Sequence, residues 1–294
     1  MRSHLASSRC TTLAILVCCA LRGTSLFAAS FAFPDFSSTS GLNLVTSAVQ
    51  TGSEIRLNPA AVGTTGAMWH TTKQPVDAGF ETMFQFRVTG MSGEADPSTL
   101  AGGDGLAVVG QNTSTAGLGA NHFLLGFEIA HNLAVEFHTL QNSNFLALEP
   151  SNNHVGVQSL GTAVNSPFAA AFLGAANVVP NMSDTNVHTA MIRYVPGSIQ
   201  VFVDDMVTPV LSVAVNLGTL LNLDSGTAYV GLTGGGANAY ENHFVLNWKF
   251  RSIPEPASIF SLILGSLGLC SLARGKRCSQ RRTFARHRAA ATLQ

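Results

Sequence analysis

Between residues 31 and 250 the groups able to do chemistry are carboxylates, amides and imidazoles, with no cysteine among them. Glycoside hydrolysis needs two carboxylates about 5–10 Å apart, which a strand supplies through Glu-x-Asp-x-Glu spacing. The nearest run, Glu136-Phe137-His138-Thr139-Leu140, has one carboxylate. Asp204 and Asp205 are adjacent, so on a strand they face opposite sides. There is no Gly-x-Ser-x-Gly nucleophile turn and no phosphate loop, and the nine His are scattered. These features argue against an enzyme. Glu136 and His138, two apart on a strand, share one face and present a carboxylate and an imidazole together.

Strands must position those groups. Apolar residues between 31 and 250 recur with period two, the mark of half-buried strands. Phe80, Thr82, Phe84, Phe86 and Val88 alternate with Glu81, Gln85 and Arg87. Leu133, Val135 and Phe137 alternate with Glu136 and His138, and Ile199, Val201 and Val203 with Gln200, Phe202 and Asp204. Phe244, Leu246, Trp248 and Phe250 alternate with His243, Asn247 and Lys249. Clusters rich in Gly, Asn, Ser and Pro separate the runs at 89–105, 110–121 and 233–239. No window of twelve or more residues carries a helical stripe. The pattern predicts one all-β, two-sheet sandwich or jelly roll without repeat or linker, a mixed α+β domain being the alternative.

Composition agrees. The 294 residues carry 16 basic and 16 acidic side chains, are 46% hydrophobic and only 11% charged. That excludes an acidic disordered chain, a coiled coil and a broadly basic nucleic-acid binder. The zero net charge is segregated. Residues 1–30 carry three Arg for +3, residues 31–250 carry fifteen acids against five bases for −10, and residues 251–294 carry eight bases against Glu255 for +7. All five Cys lie in the two ends, so the middle uses neither disulfides nor thiolate metal sites.

The order of segments in 31–250 resembles the legume (L-type) lectin family, with its concanavalin A-like jelly-roll sandwich. Phe31 to Phe36 looks like the family's first strand, and Ala67-Met68-Trp69 followed by Gln74-Pro75-Val76 like its small-hydrophobic-aromatic strand. Phe80 to Val88 is similar to its Phe-rich strand, and Gly103-Asp104-Gly105-Leu106-Ala107 to its Gly-Asp-Gly turn. Ala134-Val135-Glu136-Phe137 and Asn153-His154-Val155-Gly156-Val157 resemble the two halves of its metal loop. Val230-Gly231-Leu232 and Leu246 to Phe250 resemble its closing strands.

In that family one loop holds calcium and a transition metal, usually manganese. The resemblance makes Glu136, His138, Asn142, Glu149 and His154 the candidate ligands. Glu136 and His154 agree with the transition-metal ligands, and Asn142 with an Asn serving both calcium and sugar. His138 stands where an Asp bridges both metals, and a neutral imidazole has one lone pair and no charge, so it cannot bridge. Glu149 replaces a second Asp, and its extra methylene moves the carboxylate by about 1.5 Å. A Glu/His/Glu/His set suits one manganese- or zinc-type ion, with calcium weak or absent. The same residues also read as polar loop positions left from a metal-binding ancestor.

For sugar, the resemblance implies that Asp104 accepts from hydroxyls and Asn142 adds an amide. Backbone N–H groups around Ala237, Asn238 and Ala239 would line a specificity loop. Phe123 and Phe145 are candidates for an aromatic platform. His122, Phe123 and Leu124 precede Leu125-Gly126 where the family has glycines, so side chains could fill the site; Asp104 also reads as an ordinary turn Asp.

The ends read as addresses. Arg2 and Arg9, an apolar run from Leu13 to Leu21 and Ala28-Ala29-Ser30 form a secretory signal peptide pattern over 1–30, a retained anchor being the alternative. Over 251–294, Pro254-Glu255-Pro256, the apolar stretch 257–273 and a basic tail resemble the PEP-CTERM sorting signal of Gram-negative bacteria. The apolar stretch predicts a transmembrane helix of about 25 Å, with the basic tail held in the cytoplasm. That family implies processing by an exosortase-type enzyme, hence transient anchoring in the inner membrane before release to the surface or outside; an ordinary C-terminal anchor is the alternative. Together these features predict an exported protein that binds a glycan or exopolysaccharide without catalysis, or a matrix sandwich with degenerate sites. Family sandwiches often dimerise through a sheet edge, so a homodimer stays open.

Overall fold

The computed structural model describes residues 30–93, 102–120, 125–141, 149–166, 169–178 and 180–253. The strands among them are β1 (Ser30–Phe33), β2 (Leu42–Thr46), β3 (Val49–Thr51), β4 (Glu54–Asn58), β5 (Thr64–His70), β6 (Gln74–Pro75), β7 (Phe80–Gly93), β8 (Gly105–Gln111), β9 (Asn132–His138), β10 (His154–Gln158), β11 (Phe172–Asn177), β12 (Val187–Val195), β13 (Ser198–Val203), β14 (Leu211–Val213), β15 (Thr227–Gly236) and β16 (Ala239–Ser252). They form two sheets. The first runs β14-β13-β12-β7-β16-β4-β3, with β1 also beside β16. The second runs β11-β10-β9-β8-β15-β5-β2, with β6 also beside β15.

The alternation expected on β7 is present. Phe80, Thr82, Phe84, Phe86 and Val88 point inward, while Glu81, Met83, Gln85 and Arg87 stay partly exposed. The core between the sheets joins Phe84, Phe86, Trp248 and Phe250 of the first to Leu106, Val135, Phe137 and Val155 of the second. Each fully buried aromatic contributes about 1.5–3 kcal/mol relative to exposure. The described α-helical structure is one short turn, Leu217–Leu220, whose N-cap Asn216 accepts from Thr219 N–H at 3.3 Å. A period-two pattern supports strands, so the all-β class follows.

Three expectations change. First, β9 is buried on both faces. Leu133, Val135 and Phe137 face the first sheet, whereas Ala134, on the other face, packs in a second cluster with Ala67, Trp69, Ala107, Val109, Leu125 and Phe127. The connection after β8 folds over that outer face, held by Trp69 Nε1 donating to Gly117 O at 2.9 Å. Leu125, in this connection, is thus buried core against the outer face. Second, the C-terminal alternation breaks. A register shift between Val245 and Asn247, where β16 carries an extra residue against β7, changes the phase of β16. Glu241, His243 and Val245 point inward in its first half, Trp248 and Phe250 in its second, so Phe244 and Leu246 lie on the outer side and His243 does not. Third, Asp204 and Asp205 follow β13 in a turn, with Asp204 at φ 57°. Asp204 accepts from Thr189 N–H and lies 2.8 Å from His188 Nδ1.

Ser30 pairs with Arg251, so the described chain begins and stops at one end of β16. The signal-peptide segment before Ser30 and the apolar stretch 257–273 lie outside the described residues. Among the described residues no helix is long and apolar enough to cross a membrane.

Candidate functional site

β9 and β10 are neighbours, with His138 opposite His154 and Glu136 opposite Gly156. Alternation puts Glu136, His138, His154 and Gln158 on the outer face of the second sheet. A Cβ at Gly156 would collide with Glu136 Oε1, so the glycine makes room for that carboxylate. Glu149 arrives from the connection between the strands, and one donor atom each from His138, Glu149 and His154 lies within 4.8 Å of the others. His138 Nδ1 is 3.4 Å from Glu149 Oε1, and His154 Nε2 is 3.8 Å from Glu136 Oε1. All four side chains are buried.

Second contacts fix their orientation. Gln158 Nε2 donates to Glu136 Oε2 at 2.7 Å. His154 Nδ1 lies 2.6 Å from Ser151 O, an acceptor only, so Nδ1 carries a proton. Nε2 then points toward a carboxylate oxygen without a hydrogen bond, an arrangement in which a metal ion could sit between them. Glu136 Oε1, His154 Nε2 and both His138 nitrogens make no hydrogen bond, which is costly for buried polar atoms. Ligand atoms about 2.1 Å from one tetrahedral ion stand about 3.4 Å apart. His138, Glu149 and His154 therefore fit one metal ion, with Glu136 beside them. Burial opposes a charged His138, but Glu149, then Glu136 and Asp104, outweigh it and push the group up to about 9. Burial likewise opposes the Glu136 carboxylate, yet His154, His138 and Gln158 hold it below the usual range.

Asp104 adjoins this cluster. Gly105 is the register partner of His138, and Thr139 N–H donates to Asp104 O at 2.9 Å. The Gly103–Asp104 peptide is cis. Asp104 Oδ2 accepts from Ala237 N–H at 2.9 Å, whereas Oδ1 has no hydrogen-bond partner. The side chain is fully buried, and burial pushes its carboxyl up to about 7 against the lowering pull of His138 and the Ala237 N–H. The Ala237 N–H is thus used inside the protein. Ala237 and Asn238 form the link between β15 and β16; Asn238 is exposed, while Ala239 begins β16 and is buried. Asn142, His122, Phe123, Leu124 and Phe145 lie outside the described residues.

The structure adds residues that the pattern missed. Gln158 was legible, being four residues from His154 on the same face. Glu241 and His243 were not, because the irregularity of β16 turns them inward.

A legume lectin domain model matches residues 28–261. Among solved structures, the acidic lectin of winged bean in complex with methyl-α-D-galactose is 25% identical with a TM-score of 0.60, covering 78% of this chain and 100% of that one. A Bauhinia forficata lectin in complex with GalNAc is 20% identical with a TM-score of 0.58, covering 77% and 98%. The exoplasmic/lumenal domain of VIP36 in a Ca2+/Man3GlcNAc-bound form is 16% identical with a TM-score of 0.60, covering 76% and 88%. No curated protein sequence gives a significant match.

Proposed function

Given that this chain belongs to the legume lectin domain family, we propose that it binds a glycan without catalysis, at the end of the sandwich where Asp104 meets the metal cluster. The observation that carries this reading is the adjacency of Asp104, with one unpartnered carboxylate oxygen, to the converging His138, Glu149 and His154, with Glu136 beside His154. These four side chains would hold one divalent ion. The ion would supply positive charge that keeps Asp104 ionised and so able to accept from sugar hydroxyls. Two imidazoles favour manganese or zinc over calcium, which takes oxygen ligands. Asn142 would add an amide and the Ala237–Ala239 link would border the sugar.

We also propose that the domain is exported through the 1–30 segment, held for a time in the inner membrane of a Gram-negative bacterium by residues 257–273, and processed at Pro254-Glu255-Pro256 by an exosortase-type enzyme. Its partner is then an extracellular glycan or exopolysaccharide.

A second reading, a structural matrix sandwich with degenerate sites, draws on the full burial of Asp104. A glycan array probed with metal-free protein, and with manganese, zinc or calcium added, separates the two. Binding with manganese or zinc that calcium does not reproduce is expected; no binding under any condition leaves the structural reading.

A further inference from the structure

We infer that Glu241 is a positioning residue, joining the two sheets so that Asp104 and His138 keep their places. The inference deepens the proposed binding reading of that end of the sandwich and rests on it. Glu241 is fully buried on β16 in the first sheet, and the described contacts of its carboxylate are polar groups from several elements. Oε1 accepts from the Thr139 hydroxyl and lies 3.1 Å from His243 Nε2. Oε2 accepts from Ser183 Oγ at 3.1 Å and fills the space that a Cβ at Gly102, two residues before Asp104, would enter at 2.8 Å.

Thr139 makes the link to the site. It follows His138 directly, and its backbone N–H holds Asp104 O. Its hydroxyl has one proton and two acceptors in reach, Glu241 Oε1 and, at 3.2 Å, Asp104 O. The carboxylate is the stronger acceptor, so the proton goes to Glu241.

The other side of Glu241 is anchored as firmly. Asn58 Nδ2 faces Glu241 O at 3.1 Å and Pro59 O at 3.5 Å, both acceptors only. The amide must therefore turn Oδ1 toward His243 Nδ1, 2.8 Å away, and that nitrogen carries a proton. The far edge of the ring, Nε2, then faces Glu241 Oε1. Asn58, His243 and Glu241 are all fully buried. Apolar side chains of similar volume commonly stabilise a core as well as such a network or better. Stability alone does not account for placing it here, whereas geometry does: the network ends on the residue after His138 and on the segment before Asp104.

The test is hydrogen–deuterium exchange on the full-length protein without metal or glycan, comparing T139V, E241Q and S183A with the unmodified chain. T139V and E241Q should accelerate exchange about tenfold at the Asp104, Thr139 and Ala237 amides while leaving β7 and β12 near their original rates. S183A, which removes a bond leading away from Asp104 and His138, should leave those three amides unchanged. Unchanged exchange in T139V overturns the inference, as does an equal acceleration across β7 and β12, which marks plain loss of stability. T139V, nearly isosteric, decides the matter if E241Q does not fold. Because no ligand enters the assay, a negative glycan array bears on the proposed function and not on this result.

Discussion

The bond from His154 Nδ1 to Ser151 O aims Nε2 at Glu136, and neither Nε2 nor Glu136 Oε1 has a hydrogen-bond partner, so the metal-free cluster is electrostatically incomplete. Protons partly fill that gap. His138 moves from 6.5 to about 9 and Asp104 from 3.8 to about 7. Both folded values lie above the unfolded ones, so each group's stabilising contribution is full below its unfolded value and is lost as pH rises through its folded value. Thermal denaturation of the metal-free protein should therefore show a midpoint that falls from pH 7 to pH 9. Zinc must displace the His138 proton, so its apparent affinity should rise by about tenfold per pH unit over the same interval, with release of about one proton per ion. Calorimetry in buffers of different ionisation enthalpy counts that proton. A pH-independent zinc affinity would remove His138 from the ligand set.

At the scale of elements, β16 carries the main departure from simple alternation. Its shift puts Val245 inward, then Trp248 and Phe250, and leaves Phe244 outside with the Arg87 guanidinium 5.2 Å from its ring. A regular strand would have buried Phe244 and Phe250 alike. Phe250→Ala should cost about 3–5 kcal/mol, the range for an aromatic removed from a core. Phe244→Ala should cost about 1 kcal/mol or less, the loss of one half-exposed cation–π contact. Urea denaturation midpoints compare them, and equal costs would contradict the shifted phase. The same shift turns Glu241 and His243 toward the second sheet, so this strand irregularity also sets the polar network beside Asp104.

For the whole molecule, β16 is a ruler. Ala239, next to the candidate site, and Ser252, next to the described chain ends, are separated by a 14-residue strand, about 40 Å. A domain held by a segment after Ile253 would present the Asp104 end away from its anchor. Charge follows the same division, with −10 in residues 31–250 and basic residues concentrated in the ends. Protein processed at both ends should focus well below the whole-chain isoelectric point of about 7.1. Isoelectric focusing of material recovered from the cell surface or medium checks this, and a value near 7 would mean that the basic tail is retained.

Period-two patterning alone determined the strand class, because alternation on a pleated strand reports burial directly, as along Phe80–Val88. The segment order of 31–250 pointed to the lectin sandwich, and the residue types at 136, 138, 149 and 154 already favoured one nitrogen-accepting ion over a calcium pair. Local pattern could not tell that Ala134 would be covered, since the cover comes from the connection between β8 and β9 folding back over the outer face of the sheet. Nor could it find Glu241 and His243, since irregular pairing reverses their side. Only the tertiary structure decided that Glu241 meets Thr139, 102 residues away, and that Asp104 meets Ala237 across 133. Such contacts depend on how two sheets stack, and no local periodicity records that.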